Sequence, residues 1–242
     1  MLKEKHVAVV IPAYNEERLI ARTIGRVPDY VDYIVVVDDG SADHTHIAAT
    51  VALGGRPGEV IRQTNAGVGA AIRRGYRAGI VAGADILVVM AGDDQMDPAD
   101  LPALVEPVIE GRADYVKGNR LAHPLANDMP GVRRFGTHVL ARATAFVAGV
   151  PLDDSQCGYT AISASAAHKV DLDRVYPRYG YPNDLILRLS DAGLRIAEVP
   201  VRPVYADEVS GLAIHKVIAP ISKILIRGAA RKVVARTLGS RV

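Results

Sequence analysis

Runs of nearly uninterrupted Val, Ile and Leu alternate along the chain with segments in which apolar residues recur every three or four positions. The uninterrupted runs have the length of strands and lie at 6–13, 33–38, 60–63, 86–90 and 115–119. The helical spacing lies at 16–26, 68–81, 101–110 and 132–147. Strands that are apolar on both faces and alternate with helices are typical of a mostly parallel sheet covered by helices on both sides. The pattern therefore predicts an α/β fold.

Polar clusters follow three of these strands at the point where each strand ends. They read PAYNEE at 12–17, DDGSAD at 38–43 and AGDDQMD at 91–97. Because ligands of such sheets bind at the carboxyl ends of the strands, we expect the three clusters to share one binding site. The third cluster offers carboxylate and amide oxygens, which hard divalent cations prefer. Within the second cluster, Ser41 or Asp43 is expected to cap the helix that follows.

The size and composition are those of one large domain with an appendage. The chain has 242 residues, of which 49% are apolar, enough for a substantial core. The single cysteine, Cys157, excludes an intramolecular disulfide, favours a reducing cytoplasm and is expected to be a small buried hydrophobe. The N-terminus does not read as a signal segment, and no apolar run reaches the roughly 18 residues of a bilayer span. We therefore expect a protein that is neither secreted nor transmembrane by itself.

The C-terminal segment 213–242 differs in charge from the rest of the chain. It carries seven basic and no acidic side chains, whereas 1–212 carries 22 basic and 27 acidic ones. Its apolar residues recur at helical spacing, which predicts basic amphipathic helices with a break near Pro220 and Gly228. Such a segment suits an anionic membrane surface, and the alternative is a helix that packs on the domain with its basic face in solvent. Nucleic acid is disfavoured as a partner, because the acidic main domain would repel phosphates.

An ordered series of motifs extends through about residue 212. It comprises VVIPAYNEE, VVVDDGSADHT, NAGVGAAIRRGYRAG, AGDDQMDP, GNR, RRFGT, DSQCGY and GYPND. In content, order and spacing the series resembles the family 2 glycosyltransferases, and within them the polyprenyl-phosphate sugar synthases, which include the dolichyl-phosphate mannose synthases. The resemblance implies a GT-A, Rossmann-like domain over 1–212, with 213–242 as an added helical segment.

The resemblance also implies a site for the donor, a nucleotide-diphosphate sugar. Its base and ribose would contact residues of the first two polar clusters, namely Pro12, Tyr14, Glu16, Val37 and Asp39. The residue types suit this role, since a strand-end carboxylate accepts hydrogen bonds from base or sugar and a tyrosine ring offers a stacking face.

The metal site implied by the resemblance departs from the family pattern. The family usually presents two aspartates that flank one residue, and here the first position is Ala91, which would still border the donor. Asp93 and Gln95 would hold Mg²⁺ or Mn²⁺ together with diphosphate oxygens and water, because Mg²⁺ commonly uses few protein ligands plus substrate phosphates. Asp94 and Asp97 are expected to be a turn residue and a helix N-terminal residue.

For the acceptor, the resemblance implies that Arg120, Arg133 and Thr137 surround a lipid phosphate, with Arg120 also near the donor. Arg133 and Thr137 are four residues apart, so they would project from one face of a helix and clamp one anion. A salt bridge is the alternative for Arg133. Arg134 is expected to be a surface charge.

The implied reaction is an inverting displacement that moves a hexose from GDP-mannose or a UDP-sugar to polyprenyl or dolichyl phosphate. It would take place on the cytoplasmic face of the membrane, with the protein peripherally bound. Two alternatives stay open: a soluble transferase that acts on a hydroxyl with Asp184 as base, and a nucleotide-sugar-binding protein without catalysis. The second is motivated by Ala91 and by Gly211, which stands where a lysine is usual. The sequence leaves open whether the protein forms a homo-oligomer or has a separate membrane partner.

Overall fold

The computed structural model describes residues 2–128, 131–204 and 214–239. Seven strands and eight α-helices occur in these ranges. The strands are β1 (Val7–Ala13), β2 (Tyr33–Asp38), β3 (Gly58–Arg62), β4 (Ile86–Val89), β5 (Tyr115–Asn119), β6 (Thr160–Ser163) and β7 (Ile196–Pro200). The helices are α1 (Ile20–Arg26), α2 (Thr45–Leu53), α3 (Val68–Val81), α4 (Leu101–Ile109), α5 (Gly131–Ala148), α6 (Ala164–Lys169), α7 (Tyr181–Asp191) and α8 (Ile214–Gly239). The predicted strands and helices are therefore present, with ends shifted by a few residues.

The strands form one sheet in the order β3-β2-β1-β4-β6-β5-β7. β6 runs antiparallel to both of its neighbours, and the other paired strands are parallel. This confirms the predicted α/β class with a mostly parallel sheet.

Both faces of the sheet are buried, because successive strand side chains point to opposite sides. In β1, Val7, Val9 and Ile11 join one apolar cluster, while Ala8 and Val10 join the other. The first cluster also contains residues of α1, α2 and α4, and the second contains residues of α3, α7 and α8. The expectation of helices on both faces is therefore confirmed.

The register of the sheet brings the three polar clusters to one edge. Ala13, at the end of β1, pairs with Asp38 at the end of β2, and Val10 pairs with Val89 at the end of β4. All three strands run in the same direction, so the loops that follow them emerge side by side.

The C-terminal segment forms one helix, α8, rather than two. Pro220 lies inside it, and the predicted break near Pro220 and Gly228 is therefore wrong. Ile221 and Ile224 are buried, and a Cβ added at Gly228 would lie 2.6 Å from Leu187 Cδ1 of α7. Gly228 thus allows α8 to pack closely on α7, and the helix is continuous through both residues.

The boundary predicted at residue 212 falls in 205–213, outside the described residues, and stays a prediction. Among the described helices, none combines the length and apolar character that crossing a bilayer requires.

Candidate active site

The loops after β1 and β2 are fastened to each other by hydrogen bonds. The Asn15 N–H donates to Ser41 Oγ at 2.9 Å, and the Ala42 N–H donates to Asn15 Oδ1 at 2.9 Å. The Glu16 N–H donates to Thr45 Oγ1 at 2.7 Å. These contacts fix the backbone that carries Tyr14 and Glu16.

The start of α2 differs from the expected cap. His44 occupies the N-cap position without a capping side-chain bond, and Ser41 binds the neighbouring loop instead. Asp43 accepts the Thr45 N–H at 3.0 Å, so its carboxylate stabilises the turn that leads into the helix. The helix start is therefore ordered by the contact between loops and by the Asp43 turn rather than by an N-cap side chain.

A cleft of about 420 Å³ opens where the three polar clusters meet. It is lined by six residues that the sequence assigns to the donor or the metal: Pro12, Tyr14, Glu16, Asp39, Ala91 and Asp93. The other eight lining residues were not predicted, and among them Asn65, Gly67, Arg178 and Tyr179 come from loops that follow other strands and helices of the chain. The carboxyl ends of the strands thus form the concave site that the sequence predicts.

Asp39 organises the wall of this cleft. Its Oδ1 accepts from Gln63 Nε2 at 2.7 Å and from the Ala66 N–H at 2.9 Å, and its Oδ2 accepts from the Gly67 N–H at 2.7 Å. A carboxylate offers about four acceptor positions. One position is left for a donor group of a ligand, so Asp39 can both hold the loop and bind.

Val37 is not among the residues that line the cleft. Its side chain is fully buried in one of the two apolar clusters. The physical reason is its place inside β2, where the side chain points into the helix layer. The structure therefore does not bring the Val37 side chain to the predicted donor site.

Of the three aspartates in the third cluster, all within the described residues, only Asp93 lines the cleft. Its Oδ1 accepts the Gln95 N–H at 3.1 Å, which forms a tight turn. Asp94 has a φ of 55° and is ion-paired with Arg22 at 2.5 Å and Arg26 at 2.9 Å, beneath α1. Asp94 is thus the turn residue that the sequence predicts.

Asp97 caps a short 3-10 turn at Pro98–Asp100. Its side chain accepts the Ala99 N–H at 3.1 Å, and Pro98 occupies the first position of the turn. The expectation that Asp97 is a helix N-terminal residue is confirmed.

The acidic groups of the cleft fit a divalent cation that is shared with a substrate. The pKa of the Tyr179 hydroxyl is raised, first by burial and then by the negative charges of Asp93 and Glu16. The two carboxylates therefore act on the same part of the cleft. No group of three or more His, Cys, Asp or Glu suited to a metal occurs in the described ranges. Phosphate oxygens of a ligand would have to complete the coordination, as is common for Mg²⁺.

Arg120 follows β5 at the same edge of the sheet and is held by Asp154. Its Nε donates to Asp154 Oδ2 at 2.7 Å, and its Nη2 donates to Asp154 Oδ1 at 3.1 Å. Asp154 is fully buried and also accepts the Cys157 N–H at 3.1 Å. Burial favours the protonated form, but Arg120 and Lys117 outweigh it, so the pKa of Asp154 lies below its usual range. The sequence did not single out Asp154.

Glu198 in turn holds the backbone that carries Asp154. Its Oε1 accepts the Asp154 N–H at 2.9 Å and its Oε2 accepts the Asp153 N–H at 2.8 Å. Burial raises the pKa of Glu198. Cys157 is buried here as predicted, and burial raises the pKa of its thiol.

A second cavity, of about 540 Å³, lies between the loop after β5 and the start of α5. Arg134, Phe135 and His138 line it. Arg134, predicted to be a surface charge, thus borders a cavity. Thr137 is buried and does not line this cavity. The side chain of Arg133 lies outside the described residues, so the proposed clamp stays a prediction.

Asp184 is not brought into the cleft. Its Oδ2 accepts the Tyr176 N–H at 2.9 Å and Arg188 Nε at 2.8 Å, and it borders a separate cavity beside α8. Asp184 therefore anchors the segment 176–179, whose far end contributes Arg178 and Tyr179 to the cleft.

Gly67 lets that segment approach the cleft. Its φ is 100°, and an added Cβ would lie 2.6 Å from Pro177 O and 2.6 Å from Arg178 Cγ. The sequence offered a signal in the GVG at 67–69, but nothing in it indicates which distant loop the glycine contacts.

Replacing Gly67 with alanine is expected to weaken nucleotide binding by about tenfold or more, because the methyl group must displace the Arg178 loop and a positive φ costs about 1–3 kcal/mol. Titration calorimetry with UDP or GDP and Mn²⁺ measures the affinity. Gly83→Ala is the matched control, since Gly83 has a φ of 85° and nothing within 4 Å of an added Cβ. Equal affinities in the two variants would contradict the assignment.

Comparison with known proteins agrees with this geometry. Residues 8–170 match the family model described as glycosyl transferase family 2. The polyprenol monophosphomannose synthase of Mycolicibacterium smegmatis is 31% identical, over 91% of this chain and 87% of the relative. The undecaprenyl-phosphate mannosyltransferase of Micrococcus luteus is 33% identical, over 81% of this chain and 82% of the relative.

The fold agrees with a solved structure as well. Glucosyl-3-phosphoglycerate synthase from Mycobacterium tuberculosis, crystallised with Mn²⁺, UDP and glucosyl-3-phosphoglycerate, superposes with a TM-score of 0.71 at 24% identity, over 94% of this chain and 81% of that one. The strand order, the cleft at the strand ends and the family match lead to one conclusion: the chain belongs to glycosyl transferase family 2 and has the GT-A fold of these enzymes.

Proposed function

We propose that this glycosyltransferase moves a hexose from a nucleotide-diphosphate sugar to a polyprenyl phosphate at a membrane surface. The observation that carries the proposal is the arrangement at the carboxyl edge of the sheet. An acidic cleft suited to the donor, the Arg120 guanidinium and the cavity beside α5 that Arg134 lines all lie at this edge. The relatives from Mycolicibacterium and Micrococcus, whose names give polyprenyl-phosphate products or acceptors, support the choice of acceptor.

The donor would lie in the cleft with its base near Asp39 and Tyr14. Asp39 retains one acceptor position, and the half-exposed Tyr14 ring offers a stacking face. Asp93, with Gln95 beside it, would hold Mg²⁺ or Mn²⁺ against the diphosphate. The ion would supply electrostatic stabilisation of the departing diphosphate charge.

The acceptor phosphate would approach from the side of Arg120 and Arg134. One of its oxygens attacks the anomeric carbon while the bond from that carbon to the diphosphate oxygen breaks, so the configuration inverts. Arg120, fixed by Asp154, would stabilise negative charge near the reacting groups. A phosphate is already ionised near neutral pH and needs no strong base. The place of Asp184 outside the cleft favours this acceptor over a hydroxyl.

Peripheral attachment to the cytoplasmic face of a membrane would bring the cleft to the lipid. α5 and α8 contain no acidic residue, and both expose apolar side chains. On α5, Phe135, Val139 and Phe146 are exposed at positions that share one helix face. Basic and apolar side chains together favour an anionic bilayer surface.

Replacing Phe146 with aspartate is expected to reduce binding to anionic vesicles by about tenfold, because inserting an aromatic side chain is worth about 1.5–3 kcal/mol. Cosedimentation with vesicles that contain phosphatidylglycerol measures the partitioning. Val81→Asp on α3 is the matched control, since Phe146 and Val81 are both 88% exposed. A loss of the same size in both variants would argue against a membrane-facing α5.

Product formation tests the proposed function. The enzyme is offered GDP- and UDP-sugars with Mg²⁺ or Mn²⁺, and either a short polyprenyl phosphate or the corresponding alcohol. Transfer to the phosphate but not to the alcohol supports the proposal. Transfer only to a hydroxyl acceptor, or donor binding without any product, would replace it with one of the two alternatives.

A further inference from the structure

A third cavity lies on the opposite side of the 176–179 segment from the donor cleft. It has a volume of about 360 Å³ and is enclosed by α3, α7, α8 and the turn at Leu172–Arg174. Its charged lining consists of five arginines, Arg73, Arg174, Arg188, Arg227 and Arg231, and two aspartates, Asp173 and Asp184. The lining therefore has an excess of positive charge.

Three of the arginines are already paired with carboxylates. Arg188 binds Asp184 at 2.8 Å, Arg174 binds Asp171 at 3.0 Å, and Arg231 binds Asp191 at 3.1 Å. Such pairs orient the guanidinium groups and leave other N–H donors of each group available.

The other two arginines have no carboxylate partner of this kind. Arg73 donates to the backbone oxygens of Leu172 at 3.2 Å and Asp173 at 2.6 Å, and its buried Nε has no acceptor within the described structure. Arg227 makes no hydrogen bond or ion pair with any residue that the structure describes. The carboxylate of Asp173 does not fully neutralise the charges of Arg73 and Arg227, because Arg77 binds it at 2.5 Å.

We propose that this cavity binds a phosphate-bearing anion. Guanidinium groups on three helices and one turn converge on one small volume, and their planar donor sets match the geometry of phosphate oxygens. A diphosphate-sized group would satisfy Arg227 and neutralise part of the excess positive charge. The site is separate from the donor cleft, because no arginine of this cavity lines that cleft.

The position of the cavity gives the bound anion a contact with the donor site. Tyr176 and Pro177 line the cavity, and the next two residues, Arg178 and Tyr179, line the donor cleft. An anion beside Arg188 would therefore rest against the same short segment that forms one wall of the cleft. Binding of the anion is therefore expected to slow hydrogen exchange of the backbone amides in this segment.

Calorimetric titration of the full chain with inorganic pyrophosphate, in EDTA, tests the site. Arg227→Glu is expected to weaken binding by about tenfold or more, because a charge-assisted hydrogen bond is lost and a repulsive charge is added. Arg74→Glu is the matched control, since Arg74 is exposed on α3 and lines none of the three cavities. It should change the affinity less than about twofold, because distant surface charges are screened.

Hydrogen exchange locates the bound anion. Pyrophosphate should protect amides of 172–177 and of α8 near Arg227 and leave those of 91–95 unchanged. Protection at 91–95 alone would assign the anion to the donor cleft and overturn the proposal.

Vesicles distinguish a lipid phosphate from a free one. If the wild type binds phosphatidylglycerol vesicles but not pyrophosphate, and Arg227→Glu alone loses vesicle binding, the ligand is a lipid headgroup. If neither probe binds, or Arg74→Glu weakens binding as much as Arg227→Glu, the cavity is not an anion site. The pyrophosphate titration and the hydrogen exchange depend neither on the proposed transfer reaction nor on membrane attachment, so the two proposals can fail separately.

Discussion

Replacing Asp93 with asparagine is expected to lower kcat/KM for sugar transfer by about a thousandfold, equivalent to ~4 kcal/mol of transition-state stabilisation. Asp93 is the acidic residue of the third polar cluster that lines the cleft, and Ala91 leaves no second aspartate there to compensate. Asparagine keeps the size and the turn but removes the charge that would hold the cation. Steady-state assays over a range of Mn²⁺ concentrations measure the effect, and the requirement for Mn²⁺ should rise as well.

The adjacent aspartate provides the control for this substitution. Asp94→Asn changes the charge by the same amount but acts beneath α1, where Asp94 pairs with Arg22 and Arg26. It is expected to cost about 1–2 kcal/mol of stability, because a largely buried carboxylate loses charged partners. Activity should stay within a few-fold of the wild type. If Asp93→Asn retained normal activity while Asp94→Asn lost it, the metal assignment would be wrong.

Replacing Asp154 with alanine is expected to destabilise the fold by about 3–5 kcal/mol, since removing one partner of a buried ion pair leaves the other charge uncompensated. The Arg120 guanidinium would lose both of its hydrogen bonds to the carboxylate, and the backbone N–H groups of Arg120 and Cys157 would lose this acceptor. Urea denaturation at neutral pH gives the free energy of unfolding. Transfer activity of the folded fraction should also fall, because Arg120 would no longer be oriented.

Asp153 is the neighbouring control for this second substitution. Its side chain is exposed. Its hydrogen bond to Glu198 is donated by the backbone N–H, which alanine retains. Asp153→Ala should therefore change the free energy of unfolding by less than about 0.5 kcal/mol. A loss below about 1 kcal/mol for Asp154→Ala would show that the ion pair is not needed for the fold.

Local pattern was enough to identify much of the donor cleft. β1, β2 and β4 are recognisable because strands buried on both faces carry unbroken apolar runs, and the polar residues directly after them must emerge at one edge. That rule places the three polar clusters at the cleft, and the family resemblance singled out Tyr14, Asp39 and Asp93 within them. The tail was harder to interpret, because Pro220 and Gly228 predict a break in an isolated helix, whereas packing on α7 keeps α8 continuous.

The fold class and the edge of the sheet at which ligands bind follow from the sequence alone, because they depend on periodicity and on strand ends, and the family resemblance added six residues of the donor cleft. Only the tertiary structure decided which distant side chains meet. It paired Arg120 with Asp154, seated Arg178 and Tyr179 beside Gly67, and turned Asp184 toward Arg188 and away from the cleft. The first two contacts join segments that are far apart in the chain, and no local spacing indicates them. Asp184 and Arg188 are four residues apart on α7, and the packing of that helix decides that the pair lies away from the cleft.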